Sequence, residues 1–137
     1  MIVSGFSYYY KTIIATAIRL GSPKFALYNS SASLDPSSTT TYTSTNEVSS
    51  AGYSAGGQSM IVSSFGLIDD VYCLDYQDLT WSDPSLSFTT RGGIIYLSGS
   101  GNAVVGIIDF GFNYTASGSF TITFPSPTKT ESIIRIK

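Results

Sequence analysis

The sequence predicts a mainly β fold, an antiparallel β-sandwich or barrel of about 7–8 strands with one N-terminal helix. Three observations carry that expectation. Short runs rich in β-branched and aromatic residues recur from Lys24 to the C-terminus. Gly- and Ser-rich turns separate those runs, as in sandwiches and barrels. Only one segment, near the N-terminus, has apolar residues at helical spacing. No repeat of fixed period runs through the chain, which argues against a solenoid or propeller.

The helix is expected over residues 6–20. Phe6, Tyr10, Ile13, Ile14, Ala17 and Ile18 recur three and four apart, which assigns them to one face packed on a sheet. Ser7 can cap its start, and Gly21 followed by Pro23 can end it. A short strand over Lys24–Asn29 follows. Residues 29–46 are then a polar stretch, longer than most connections in compact domains. It reads equally as an extended arm laid on a neighbour or as a mobile surface loop. The chain thus divides into an N-terminal helical and interaction segment, 1–23, and a single β domain, 24–137.

Gly52 to Gly57 is a turn cluster. Ser59 to Ile68 reads as one strand. Val71 to Tyr76 follows with both faces buried, and Leu79 to Trp81 continues or pairs with it. Within Leu86 to Leu97 the pair Gly92-Gly93 marks a bulge or a close backbone approach. Ser98 to Asn102 is a hairpin loop. Ala103 to Phe110, apolar on both faces, is expected as a central strand. Ser119 to Phe124 alternates, with Phe120, Ile122 and Phe124 on one side. Ile133, Ile134 and Ile136 close the chain as a last strand.

Composition narrows the function. A chain of 137 residues suits one compact domain and can bury a core without staples. Charged residues are only 12%, about half the usual share, and Ser, Thr, Gly and Tyr stand in their place. Such a surface suits a protein covered by partners or by copies of itself. The net charge is −2, and the basic residues Lys11, Arg19, Lys24, Arg91, Lys129, Arg135 and Lys137 are scattered. Nucleic-acid binding needs a concentrated basic footprint, so no nucleic-acid partner is expected. No apolar run approaches the roughly 20 residues of a membrane span. The N-terminus lacks the basic and apolar regions of a secretion leader. Cys73 is the only cysteine, so no intrachain disulfide forms, and its apolar neighbours predict a buried thiol.

Little chemistry is encoded. The chain has no histidine, which removes Ser-His and Cys-His pairs and most zinc sites. Asp69, Asp70, Asp75, Asp78 and Asp83 are close in sequence, but their spacing matches no calcium loop and strand alternation splits them between faces. They read as turn and strand-end residues. Gly99-Ser100-Gly101 lacks the Lys-Ser/Thr of a phosphate loop. No cofactor and no catalytic residue is therefore expected. The ten tyrosines point elsewhere. The run Tyr8, Tyr9, Tyr10 cannot all face one core, and tyrosine suits interfaces because its ring buries area while its hydroxyl finds a partner. Exposed aromatics would also suit sugar binding. Candidate contact residues are Tyr8, Tyr9, Tyr10, Ser30, Leu34, Tyr42 and Tyr53. Trp81, in Leu79-Thr80-Trp81, is assigned to the core.

An ordered series of segments resembles a group of small tailed-phage virion structural proteins. It runs from Phe25-Ala26-Leu27-Tyr28-Asn29-Ser30-Ser31-Ala32-Ser33-Leu34 through Thr45-Asn46-Glu47-Val48, Gly52-Tyr53-Ser54-Ala55-Gly56-Gly57 and Asp78-Leu79-Thr80-Trp81-Ser82. It continues with Arg91-Gly92-Gly93-Ile94-Ile95-Tyr96, Ile107-Ile108-Asp109-Phe110-Gly111, Phe120-Thr121-Ile122-Thr123-Phe124-Pro125 and Ile133-Ile134-Arg135-Ile136. The series spans residues 24–137, and the Tyr-rich N-terminal segment departs from the group. The resemblance implies a non-enzymatic capsid decoration (cement) protein on the phage head surface. The implied partners are the major capsid protein and copies of itself in a homo-oligomer. A tail- or baseplate-associated component and a receptor- or carbohydrate-binding module are the alternatives.

Overall fold

A computed structural model describes residues 1–128 and 130–137; Lys129 lies outside the described residues. One helix, α1 (Tyr8–Leu20), precedes seven strands: β1 (Pro23–Tyr28), β2 (Gln58–Ser59), β3 (Val62–Ile68), β4 (Val71–Tyr76), β5 (Leu79–Leu97), β6 (Ala103–Ile122) and β7 (Ile134–Ile136). They form two antiparallel sheets, ordered β2-β1-β5-β6 and β3-β4-β7. The fold is mainly β and sandwich-like, and the described residues form no closed barrel.

The helix starts where a capping residue allows it. The Ser7 hydroxyl accepts from the Tyr10 N–H at 3.3 Å, satisfying one of the free amides of the first turn. Gly21 ends it for a packing reason. A Cβ there would stand 2.8 Å from the Ala17 carbonyl and 2.9 Å from the Leu97 side chain. The left-handed residue is the next one, Ser22, with φ 56°. Ser22 then accepts from the Ser98 N–H at 3.1 Å, which ties the helix exit to the end of β5.

Alternation along β1 and β5 makes two apolar layers. Phe25, Leu27, Ile95 and Leu97 face the main core, with Leu74, Tyr76, Trp81, Phe88 and Phe124, and Ala15 and Ile18 of α1 complete it. Ala26, Tyr28, Ile94 and Tyr96 face the opposite way and are covered by Ala32, Leu34 and Tyr42. The chain between β1 and β2 is therefore a third layer over the back of the first sheet. The Tyr42 N–H donates to the Asn102 carbonyl at 2.9 Å, and the Val104 N–H donates to the Thr40 carbonyl at 3.0 Å.

Both glycines of Gly92-Gly93 are required by close approach, as expected. A Cβ on Gly93 would lie 2.4 Å from the Phe25 ring, and one on Gly92 would lie 2.3 Å from the Ile108 carbonyl. The β5–β6 ladder also slips here, from Thr90 opposite Tyr114 to Gly92 opposite Asp109, so Phe110 to Asn113 bulge out against Arg91 alone. Buried Thr90 donates its hydroxyl within this irregularity, 3.0 Å from the Tyr28 carbonyl. The expected hairpin loop at 98–102 joins β5 to β6, Cys73 and Trp81 are buried, and Phe124 enters the core.

Four expectations are corrected. Ser59 to Ile68 is not one strand, because Met60 and Ile61 carry the chain from the first sheet to the second. Leu79 to Trp81 neither continues nor pairs with β4; it opens β5 and pairs with Ile122, Thr121 and Phe120 of β6. Ala103 to Phe110 belongs to an edge strand, not a central one. Its two apolar faces are used, Val105 and Ile108 toward the main core and Val104 and Ile107 toward the back layer. Two covered faces do not require two neighbouring strands. Finally, the six helix residues assigned to one face are divided. Of the six, Ile14 and Ile18 pack inward beside Ala15, while Phe6, Tyr10, Ile13 and Ala17 are exposed.

Candidate interaction surface

Two regions hold the candidate residues, and they differ in how the fold uses them. The first is the segment 29–57. It contains a half-buried carboxylate, Glu47, that gathers three donors. Tyr42 donates its hydroxyl at 2.6 Å, Tyr53 at 2.7 Å, and the Gly56 N–H at 2.8 Å. The Tyr53 hydroxyl in turn accepts from the Leu27 N–H of β1 at 2.9 Å. The Tyr96 hydroxyl donates to the Gly56 carbonyl at 2.6 Å, and the Tyr28 hydroxyl donates to the Thr43 carbonyl at 2.5 Å. The Tyr42 and Tyr96 rings stack at 4.8 Å. Glu47 also bridges to Tyr28 along the edge of β1 that β2 leaves unpaired. Burial, with the Glu47 charge nearby, pushes the Tyr28, Tyr42, Tyr53 and Tyr96 hydroxyls above the ordinary tyrosine range.

This network decides the fate of four candidates. Tyr53 is 8% exposed and stacks on Trp81 at 6.0 Å, so its assignment as a contact residue is corrected: it is core. Tyr42 and Leu34 are half-buried in the back layer, and Ser30 is exposed at its rim. The segment is neither a free arm nor a loose loop over most of its length.

The second region is the N-terminus with α1. Residues 1–10 are exposed throughout, including Tyr8 at 62%, Tyr9 at 69% and Tyr10 at 59%. Ile13, which its spacing assigns to the packed face, and Leu20, which no pattern singles out, are exposed on the same helix. The helix is held through its other side. The Lys11 ammonium donates to the Asp70 carbonyl at 2.6 Å, and the Arg19 guanidinium lies 4.1 Å over the ring of Phe65 on β3. Beside Arg19, β3 exposes Phe65 and Leu67. At the other sheet, the β6 bulge exposes Phe112, whose ring packs at 4.8 Å on that of exposed Tyr114 just after it. A concavity of about 340 Å³ beside them is lined by Phe110, Tyr114, Phe120, Thr121, Ile122 and Thr123, with no acid or base.

The carboxylates occupy structural posts. Asp69 and Asp70 form the β3–β4 turn at φ 49° and 66°, where short polar side chains tolerate left-handed backbone. Asp75 accepts from the Ser63 hydroxyl at 2.7 Å, Asp78 from the Phe124 N–H at 3.0 Å, and Asp83 from the Ser85 N–H at 2.8 Å. Asp109 pairs with Arg91 at 2.9 Å, and that hydrogen bond, with the Gly111 N–H, holds its carboxyl below the usual range. Among the described residues no group of three His, Cys, Asp or Glu side chains could hold a metal ion. No helix of the described residues is long and apolar enough to cross a membrane. What the surface offers is apolar and aromatic contact area. No known protein family, no curated protein and no solved structure matches the chain.

Proposed function

We propose that this chain is a non-enzymatic structural component of a tailed-phage virion, a decoration protein that bridges capsid subunits on the head. The observation that carries the reading is the distribution of exposed large apolar side chains. They occur on the N-terminal segment and α1, on Ile61 and β3, and on the β6 bulge with Tyr114 beside it. A part that joins neighbours in a shell needs more than one contact surface, and each can be modest because a fixed lattice raises the effective concentration of the next contact. The charge-poor composition, 12%, fits a surface that neighbours cover. The tied-down back layer supports the same reading, since a rigid body transmits load between contacts better than a floppy one. The order of segments from Phe25 to Ile136 supplies the phage assignment.

The test is the stoichiometry of the protein in purified virions. A copy number comparable with that of the major capsid protein is expected, and heads lacking the protein should lose stability while adsorbing normally. Small multiples of three or six would move it to the tail. Binding to host-surface sugar that is lost on Tyr114→Ala would instead favour a receptor module acting at the β6 concavity.

A further inference from the structure

We infer that α1 is a self-association element, packed against α1 of a second copy of this chain across a two-fold axis. The inference rests on reading the exposed apolar side chains as contact surface, but not on the virion assignment. At 100° per residue, Tyr9, Leu20, Ile13, Ala17 and Tyr10 fall within an arc of about 100°. The opposite arc carries Ile14, Ala15 and Ile18, which are in the core. The helix is thus apolar on both sides, a pattern that normally means burial on both sides. Within the outer arc, Tyr10, Ile13, Ala17 and Leu20 are spaced three, four and three. That is the spacing of a helix-to-helix seam. Small Ala17 leaves room for a large ring such as Tyr10 from an antiparallel partner.

Charge selects the partner. The outer arc has no charged residue, and both cations of the helix, Lys11 and Arg19, are engaged with Asp70 and Phe65 of the same chain. Two copies therefore meet without like-charge repulsion, while a charged partner finds nothing to pair with. A lipid surface fits poorly. Interfacial helices set a basic face opposite the apolar one, and here the opposite face is core. The area is sufficient. Aromatic side chains bury roughly 150–250 Å² each when fully covered. Tyr9 and Tyr10 are each about 60% exposed or more, Ile13 and Leu20 share their face, and Met1, Ile2 and Val3 of the segment before the helix add to them. Together they approach the ~800 Å² per partner of a standard stable interface.

Sedimentation of the full chain tests this. A monomer–dimer equilibrium with Kd near or below about 10 µM is expected. Ile13→Glu and Leu20→Glu, both at exposed positions, should each raise Kd at least about tenfold, because each brings two like charges onto the seam. Circular dichroism should remain unchanged, since neither side chain is in the core. A wild-type chain that stays monomeric at about 100 µM would overturn the inference, whether or not it binds heads or vesicles. A dimer with unchanged Kd in both variants would overturn it equally. A monomer that still binds heads would leave the contact reading standing and remove only self-association.

Discussion

The segment 29–57 and the helix α1 invert the roles their compositions suggest. The first is polar and long, with the look of a loose excursion, yet it is fastened over the first sheet by Glu47, four tyrosines and two backbone hydrogen bonds to the start of β6 and its loop. The second is apolar and helical, with the look of a core element, yet Tyr8, Tyr9, Tyr10, Ile13, Ala17 and Leu20 are exposed. Polarity in sequence reports which groups need partners, not where those partners are. A tyrosine hydroxyl and a carboxylate can satisfy each other inside a layer. An apolar side chain finds cover in the core only if the backbone turns it that way.

The segment is most sensitive at Gly57. Its φ is +80°, and a Cβ would stand 1.9 Å from the Phe25 carbonyl. Gly57→Ala should therefore force β1 and the end of the segment apart and cost about 3–5 kcal/mol, read from urea unfolding followed by Trp81 fluorescence. Glu47→Ala comes next. It leaves two tyrosine hydroxyls and the Gly56 N–H without their acceptor, at a cost of about 2–3 kcal/mol. Limited proteolysis should then cut within residues 30–45 faster than in the wild-type chain. Equal cutting in both would mean that the network does not hold the layer.

Alkali probes the same network without mutation. The raised hydroxyl pKa values of Tyr28, Tyr42, Tyr53 and Tyr96 mean that the folded state prefers the neutral form. Unfolded tyrosine ionises near pH 10, so this contribution is complete below about pH 10 and is lost as pH rises beyond it. The thermal midpoint should accordingly hold through neutral pH and fall once pH exceeds about 10. The smallest effect belongs to the other region. Tyr9→Ser, on the outer face of α1, should change the stability of the isolated chain by no more than about 0.5 kcal/mol. A larger loss at protein concentrations too low for association would mean that Tyr9 is packed within its own chain.

What the sequence makes legible is local. The Ser7 cap, the hairpin at 98–102, the tight packing at Gly92-Gly93 and the inward run Phe120, Ile122 and Phe124 each depend on residues near one another. The misplaced pieces depend on distant pairing. Nothing near Met60 announces a change of sheet, and nothing in Ala103 to Phe110 distinguishes a strand with two neighbours from one covered on two faces. Tyr53 lies in a Gly-rich turn cluster that reads as surface, and only Trp81, Phe88 and Leu27, far along the chain, explain its burial. Glu47 had a faint signal: it is one of only two glutamates, set among tyrosines in a charge-poor stretch.

The pairing of the strands also has a consequence in time. Five residues join β5 to β6, so that hairpin can zip locally and early. Neither sheet can be finished that way. Pro23 must find Leu97 before β1 is seated, and Ile134 must find Leu74 before β7 closes the second sheet. Those searches carry the loop-closure entropy of about half the chain each, which is why folding dominated by distant strand pairing runs in milliseconds to seconds. Substitutions within the β5–β6 hairpin should therefore slow folding, whereas those in β7 should act mainly by speeding unfolding.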